Sequence, residues 1–487
     1  MAALNRARWA ALLLLAYLAA RFWLATTPGY PPDIGQFKLW ALQAEQDGLA
    51  SLYGGGADHD FSRFDYPPLY AYVLRAIGWI YSFFEPDALA RQADSTLLTV
   101  LVKLPALLAD LAVALLLARL ARRGARGDGG NGSGGAGGSA AAPWLAAAWL
   151  LNPAVLLDGG HWGQPDSIHS GFVLAAFAAL AGALGAARGT RRSAIAAWVL
   201  LTLAALMKPL GAPFFPLLLT ASLLFAGVAS TLLGALASLA TAALLFAPFV
   251  ARFGVESMAA RLLGDVTIMS FTSVNGHNLW WLVGPWKDSE APWLLGATAT
   301  QVGLALFLAA LAALLVLSVR RHRQRRAGLH ATQLLLLSGA LATAFFLFAT
   351  HLHENHLFAA LPLLMGALAL TPAGNGARRP LALLIAALSI GVAWNLVAHD
   401  FAWRHAWPFS SGEPRAYVGD APEGVLAGGE HLAGTLGSAW NLLCGAALAA
   451  FVFGNGLVRL AWSSALPAER EGDERDPGAI GPSGAPR

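Results

Sequence analysis

A single cysteine, Cys444, occurs in the chain, and it lies inside an apolar run. That excludes an internal disulfide and any cysteine-built metal cluster, and it leaves the redox compartment undetermined. Charge is nearly as scarce. Only 12 % of the 487 residues are Asp, Glu, Lys or Arg, against 57 % hydrophobic, and the mean hydropathy is +0.56. Soluble globular domains carry about twice that charged fraction, so the shortage makes this a polytopic membrane protein. The net charge of +4 and the pI near 9.4 do not point to nucleic acid. The basic residues gather in short turns between apolar runs, where membrane orientation places them. Also missing is an internal repeat of the kind that builds the inverted halves of transporters.

What the chain has instead is apolar length. Runs bounded by charges or turn residues predict spans near 9–26, 98–118, 143–158, 166–186, 193–207, 211–227, 228–250, 295–318, 331–350, 356–371, 380–398 and 436–462, about 12 spans of an all-α, polytopic transmembrane helical bundle. Several are shorter than the ~20 residues of a perpendicular crossing, so kinked or buried short helices are expected. Arg6 and Arg8 ahead of the first run resemble the start of a signal peptide, but no small-residue cleavage site follows. The run is expected to be retained as the first span.

Arginine placement sets the orientation. With the N-terminus cytoplasmic, Arg119, Arg122, Arg123 and Arg126 fall inside, as do Arg188, Arg191 and Arg192, then Arg320, Arg321, Arg323, Arg325 and Arg326, then Arg378 and Arg379. The agreement requires that 67–84 lie on the membrane rather than cross it, which its Tyr, Trp and Arg75 content suits. The first outer loop, 27–97, then holds nine acids against four bases. Outer loops at 251–294 and 399–435, and short ones at 158–166 and 351–356, share its side. Chemistry is therefore expected on the exoplasmic face. Residues 124–142, mostly Gly, Ser and Ala, read as a flexible cytoplasmic linker, and 466–487 as a disordered cytoplasmic tail.

The residues able to do chemistry cluster on that outer side. From Asp33 to Asp47 the pattern puts Phe37, Trp40, Ala41 and Ala44 on one face with Gly48 placed to end the helix, so an interfacial amphipathic helix begins at Asp33. Asp33 is either a residue capping the helix dipole or a carboxylate placed to take a proton from an incoming hydroxyl. Asp65 and Tyr66, before Pro67-Pro68, offer a second anchored acid that is either an N-cap or part of a site. The loop Asp158–Asp166 contains His161, Trp162, Gln164, Pro165 and Asp166, with His169 one turn on. Its donors, acceptors and aromatic plate suit a sugar ring, and so many polar groups beside hydrocarbon-length runs need water, a ligand or one another. Two alternatives stand: Asp166 as a helix cap, or His161, His169 and Asp166 as ligands of a divalent metal.

Lys208 interrupts an apolar run before Pro209 and either snorkels to the headgroups or holds a phosphate. Asn275, His277 and Asn278 precede the Trp280-Trp281 pair. An aromatic belt explains the tryptophans but not the amides and the imidazole. His351-Leu352-His353-Glu354-Asn355-His356 departs from the His-Glu-x-x-His arrangement of zinc peptidases. It suits phosphate binding with a charge-balancing acid, zinc being the alternative.

Taken together, an acid after the first span, Asp65-Tyr66-Pro67-Pro68-Leu69, a Trp162-Gly163-Gln164-x-Asp166 segment, Lys208-Pro209 and His353-Glu354 before a late span resemble the membrane GT-C glycosyltransferases. The nearest look-alikes are bacterial relatives of the GPI-anchor mannosyltransferases and of the dolichyl-phosphate-glucose glucosyltransferases. The resemblance covers residues 9 to about 371. It implies a catalytic module over 1–398 with two interfacial helices in its first outer loop, followed by an outer loop and final span over 399–465. A hexose, mannose or glucose, would pass with inversion from a polyprenyl-phosphate donor to a lipid-linked or other exoplasmic acceptor, in a bacterial plasma membrane.

On that pattern Asp33 aligns with the family's base. The candidates for the phosphate are Lys208, His353, Glu354 and His356, and those for the sugar are Asp65, Tyr66, His161, Trp162, Gln164, Asp166, Asn275, His277 and Asn278. No cofactor is required, a divalent metal being left open. The partners are donor, acceptor and membrane lipids. One departure stands out: the late motif often reads His-Glu-Arg or His-Glu-Lys, and here Asn355 takes the place of the cation. A lipid or sugar transporter or flippase is the alternative from another class, opposed by the large one-sided outer loops, since alternating access places its site near the midplane. A membrane scaffold would need none of these polar groups on one face.

Overall fold

The computed structural model describes residues 2–54, 64–87, 95–126, 136–184, 189–265, 270–324, 329–406 and 429–454. As the apolar patterning predicts, helices dominate. The helices are α1 (Ala2–Thr26), α2 (Pro31–Gln46), α3 (Pro68–Phe84), α4 (Thr96–Arg126), α5 (Ala136–Leu150), α6 (Asp166–Leu180), α7 (Arg191–Met207), α8 (Phe215–Phe253), α9 (Val255–Asp265), α10 (Leu279–Val283), α11 (Ala299–Arg323), α12 (Ala331–Phe348), α13 (Ala360–Leu370), α14 (Arg378–Ala406) and α15 (Gly429–Phe453). A single hairpin, β1 (Pro292–Leu294) with β2 (Ala297–Thr298), is the sheet among the described residues. Among the described residues, six helical segments are long and apolar enough to cross a membrane, and three shorter apolar helices accompany them. The chain is an integral, helical membrane protein.

Each of the expected apolar runs coincides with a helix, α8 supplying two of them because Gly227 breaks its 39 residues with φ 76°. The boundaries differ where local chemistry overrides apolarity. The run expected to continue to 158 stops at Leu150, because Asn152 caps Ala154 and Pro153 opens a new turn. The run expected from 295 begins at Ala299: Pro292–Thr298 forms the hairpin, and Thr298 starts α11 with a capping box to Gln301. In the linker expected at 124–142, helix covers both flanks, to Arg126 and from Ala136, and 127–135 lies outside the described residues. Most of the outer loop 399–435 and the tail 466–487 also lie outside them.

Two apolar cores organise the molecule. The larger lies between α4, α5, α6, α7, α12, α13 and α14, whose facing leucines and alanines are buried on all sides. A second belongs to the stretch expected as the first outer loop, where α2 and α3 pack Phe37, Trp40, Tyr70 and Leu74 together with Leu98 of α4, Met207 of α7 and Phe249 of α8. Helix α3 is amphipathic as expected, burying Tyr70, Ala71, Leu74, Ile77, Gly78 and Tyr81 while Trp79, Phe83 and Phe84 face outward. This second core fixes α2, and with it Asp33, at one end of the long helices.

Candidate active site

The segment expected as an open polar loop is folded and buried. Leu156–Trp162 forms a wide π turn, in which Asp158, His161 and Trp162 are buried. Such turns project side chains that a tighter helix would stack, and they recur at functional sites. Two glycines permit it. A Cβ on Gly160 would lie 2.6 Å from Nη1 of Arg21. Gly163 ends the turn at φ 81°, where a Cβ would come within 2.4 Å of Ile34 Cδ1. The ring of Trp162 stacks on Tyr30, centroids 3.9 Å apart, and His161 Nδ1 meets Thr27 Oγ1 at 2.9 Å. Both of these expected sugar-binding side chains thus face the segment that leads into α2 and clamp it.

The clamp brings Asp33 to the π turn. Pro31 and Pro32 occupy the first positions of α2, and Asp33 follows in its first turn without capping the helix. Its Oδ2 accepts from Gln164 Nε2 at 2.5 Å. The other end of that amide accepts from Tyr66 OH and from Lys208 Nζ, each at 3.3 Å. Lys208 is buried rather than snorkelling, and its ammonium bridges both oxygens of Asp166 at 3.0 Å. Asp166 is the first residue of α6, behind Pro165 at the N-cap, so it is not the cap of that helix. The position without the expected cation is filled: Asn355 Nδ2 donates to Asp166 Oδ2 at 2.7 Å and ties the late motif to the Lys208 pair.

That late motif closes the site. The backbone N–H of His353 donates to Nδ1 of His356 at 3.2 Å, and Glu354 is buried, accepting from the Asn275 side chain with its Oε2 unpartnered. Burial pushes Glu354 up to about 8, helped by the charge of Asp33, so the group holds its proton at neutral pH. His353 is lowered to about 4 by burial and then by Lys208, which leaves a neutral imidazole able to donate a hydrogen bond but not a charge. Asp33 rises to about 6, burial being opposed by the Gln164 bond and by Lys208 and reinforced by Asp166. Although enclosed by protein atoms, Asp33 keeps part of its surface open. Burial also raises Tyr66 and Tyr70, keeping both phenols protonated.

The structure therefore gathers Asp33, Tyr66, Gln164, Asp166, Lys208, Asn275, His353, Glu354 and His356. Asp65 is exposed two residues before the Pro67 N-cap of α3, and it does not cap the helix. Asn278 spends its groups on structure, accepting from the backbone of Trp280 and Trp281 and donating to the carbonyls of Phe346 and Ala349. His277 belongs to a separate buried cluster, its Nε2 3.2 Å from that of His399 and its backbone held by Asn395 and Asn441. Burial pushes His277 well down. Among the described residues no three His, Cys, Asp or Glu side chains converge where a metal ion could sit.

Sequence reasoning missed the supports beneath the site. Lys103 is buried in α4 and donates to the carbonyls of Leu24 and Thr27 at 2.9 and 2.8 Å. Arg21 of α1 pairs with Asp110 of α4 at 2.8 Å, Ser167 donates to the same carboxylate, and Arg21 also reaches the carbonyl of Val155. Charge inside an apolar span was the signal that could have found all three ionic groups.

Comparison with known proteins bears on this arrangement. Residues 57–263 match the model of the ALG6, ALG8 glycosyltransferase family, a stretch that includes Tyr66, Gln164, Asp166 and Lys208 but not Asp33 or the His353 turn. ArnT from Cupriavidus metallidurans, solved in the apo state, superposes with a TM-score of 0.48 at 15 % identity, over 93 % of this chain and 78 % of its own. No curated protein sequence matches. The family match and the motif resemblance both lead to glycosyltransferases.

Proposed function

We propose that the chain is a membrane glycosyltransferase of the GT-C type that moves a hexose from a polyprenyl-phosphate donor to a lipid-linked or other exoplasmic acceptor. The observation that carries the reading is Asp33: one carboxylate oxygen is held by Gln164, the carboxyl is tuned to about 6, and a buried Lys208 lies across the same amide. The family match over 57–263 supports it. In the proposed step the acceptor hydroxyl oxygen attacks the anomeric carbon while the bond from that carbon to the phosphate oxygen breaks. The hydroxyl proton passes to Asp33, and the lipid phosphate leaves with the electron pair. A single displacement of this kind inverts the anomeric centre.

The leaving phosphate needs no strong acid. It needs donors and positive charge placed where its own charge develops. Lys208 supplies the cation, and the neutral imidazoles of the late turn together with protonated Glu354 supply hydrogen bonds. Gln164 acts as a positioning residue, since its amide can serve Lys208 and Asp33 together in one orientation only. Polarity along the helices supports the exoplasmic placement. In α7, Arg191 and Arg192 begin the helix and Lys208 follows its other end, so site and basic turn lie on opposite sides.

Lipid-linked glycan analysis of a deletion strain by mass spectrometry tests the reading. Loss of one hexose from a lipid-linked glycan is the expected result and would identify sugar and acceptor together. An unchanged profile would transfer support to transport. Because the positive charge is assigned to Lys208, transfer should survive a chelator; loss restored by a divalent metal would overturn that assignment.

A further inference from the structure

The hairpin between Trp286 and α11 has features that neither packing nor backbone preference explains. Pro292 pairs with Thr298 and Leu294 with Ala297, leaving Leu295-Gly296 as a two-residue turn. Both turn residues have positive φ, 52° and 83°. That geometry favours Asn or Asp before the glycine, and a leucine there is strained. Leu295 is also fully exposed, and Trp293 and Leu294 are about half exposed beside it. A strained backbone position bearing a large apolar side chain in open space calls for a partner.

Its position in the fold says which one. Thr298 is the N-cap of α11, whose last turn carries Arg320, Arg321 and Arg323. With those arginines at one headgroup layer, the apolar part of α11 reaches about 31 Å, which places Ala299 at the opposite edge of a hydrocarbon core ~30 Å thick. The hairpin starts at that edge. Its tip lies about 10 Å from its base, so it stays within the interfacial layer. The base is fixed to the outer ends of the bundle, since Trp293 packs edge-on against Trp280, which donates to the carbonyl of Phe348 at 2.6 Å. Leu304, Leu306 and Leu308 of α11 continue the exposed apolar surface downward.

We propose that Trp293, Leu294 and Leu295 form a membrane anchor that inserts into the interfacial layer of the outer leaflet beside α11, at the boundary between headgroups and acyl chains. Tryptophan at the headgroup boundary with leucines beneath it is the order that a leaflet selects. The anchor is independent of the chemistry at Asp33.

The test uses the full chain in nanodiscs of phosphatidylethanolamine and phosphatidylglycerol. Cys444→Ala removes the one native thiol, and Leu295→Cys carries a nitroxide, with Lys287→Cys as an exposed reference in the same loop. The expected result is higher collision with oxygen and lower collision with a water-soluble nickel complex at 295 than at 287. Equal nickel access at both positions would overturn the anchor, and so would dipolar broadening between labels, which would mean that the tip meets a second copy. Leu295→Asn supplies the residue that the turn favours, so its melting temperature in detergent should be unchanged or higher. A fall would show that Leu295 packs against protein and would also overturn the proposal.

Discussion

As the base of the proposed step, Asp33 answers two opposed demands. A base must be ionised at working pH, yet a carboxylate at its ordinary value is too weak to draw a hydroxyl proton. Burial moves the group to about 6, and Gln164 and Lys208 stop it from rising further. Transfer should therefore increase as pH climbs through about 6. It should decline above about 8, where Glu354 loses the proton with which it would donate to phosphate. A rate profile flat from pH ~5 to ~9 would remove both roles.

Asp33→Asn should lower transfer by a factor on the order of 10²–10⁴ while the protein still accumulates in the membrane. The same change should raise stability. The folded value lies above the ordinary 3.8, so the folded chain binds the proton more tightly and stability falls as pH rises through that interval. At about pH 7.5 the asparagine variant is expected to gain about 1–3 kcal/mol, and the gain should vanish below about pH 4, as thermal unfolding at the two pH values would reveal.

The π turn shows what helical elements contribute beyond reach. It holds Gln164 between Asp33 and Lys208 only because Gly163 takes a left-handed backbone against Ile34. Gly163→Ala should therefore cost about 1–3 kcal/mol and lower the maximal rate more than it weakens substrate binding, a separation that steady-state kinetics would resolve. The buried Lys208–Asp166 pair calls for a different variant set. Removing one partner leaves a buried charge and should destabilise by about 3–5 kcal/mol, whereas Lys208→Met with Asp166→Leu should recover much of that loss without recovering transfer. Recovery of activity in the double variant would show that the pair is structural only.

From the sequence, this stretch was legible as a polar concentration but not as a buried one. Polar density normally signals water, and here Gln164, Asp166, Lys208 and Asn355 satisfy one another across elements far apart in the chain. No local pattern encodes such pairing. Asp33 was legible because two prolines and an amphipathic period marked its helix. Asn278 was misleading because capping and ligand binding use the same amide.

At the scale of the molecule, hydropathy located every long helix among the described residues, since an apolar run in lipid has little choice but to close its own hydrogen bonds. What hydropathy could not place were the ends. Asn152, Pro153 and the Thr298 capping box set those through backbone bonding that apolarity does not register. The docking of α2 and α3 on the bundle was equally hidden, because amphipathic pattern reveals a buried face but not what covers it. Helix α4 carries one more consequence. Lys103 and Asp110 stand seven residues apart on it, about 10 Å along one rod. The first is a peg for the end of α1 ahead of Asp33, and the second a peg for Arg21 and for the start of α6 beside Asp166. The spacing between the start of α2, which carries Asp33, and the start of α6, which carries Asp166, is thus measured off along one helix.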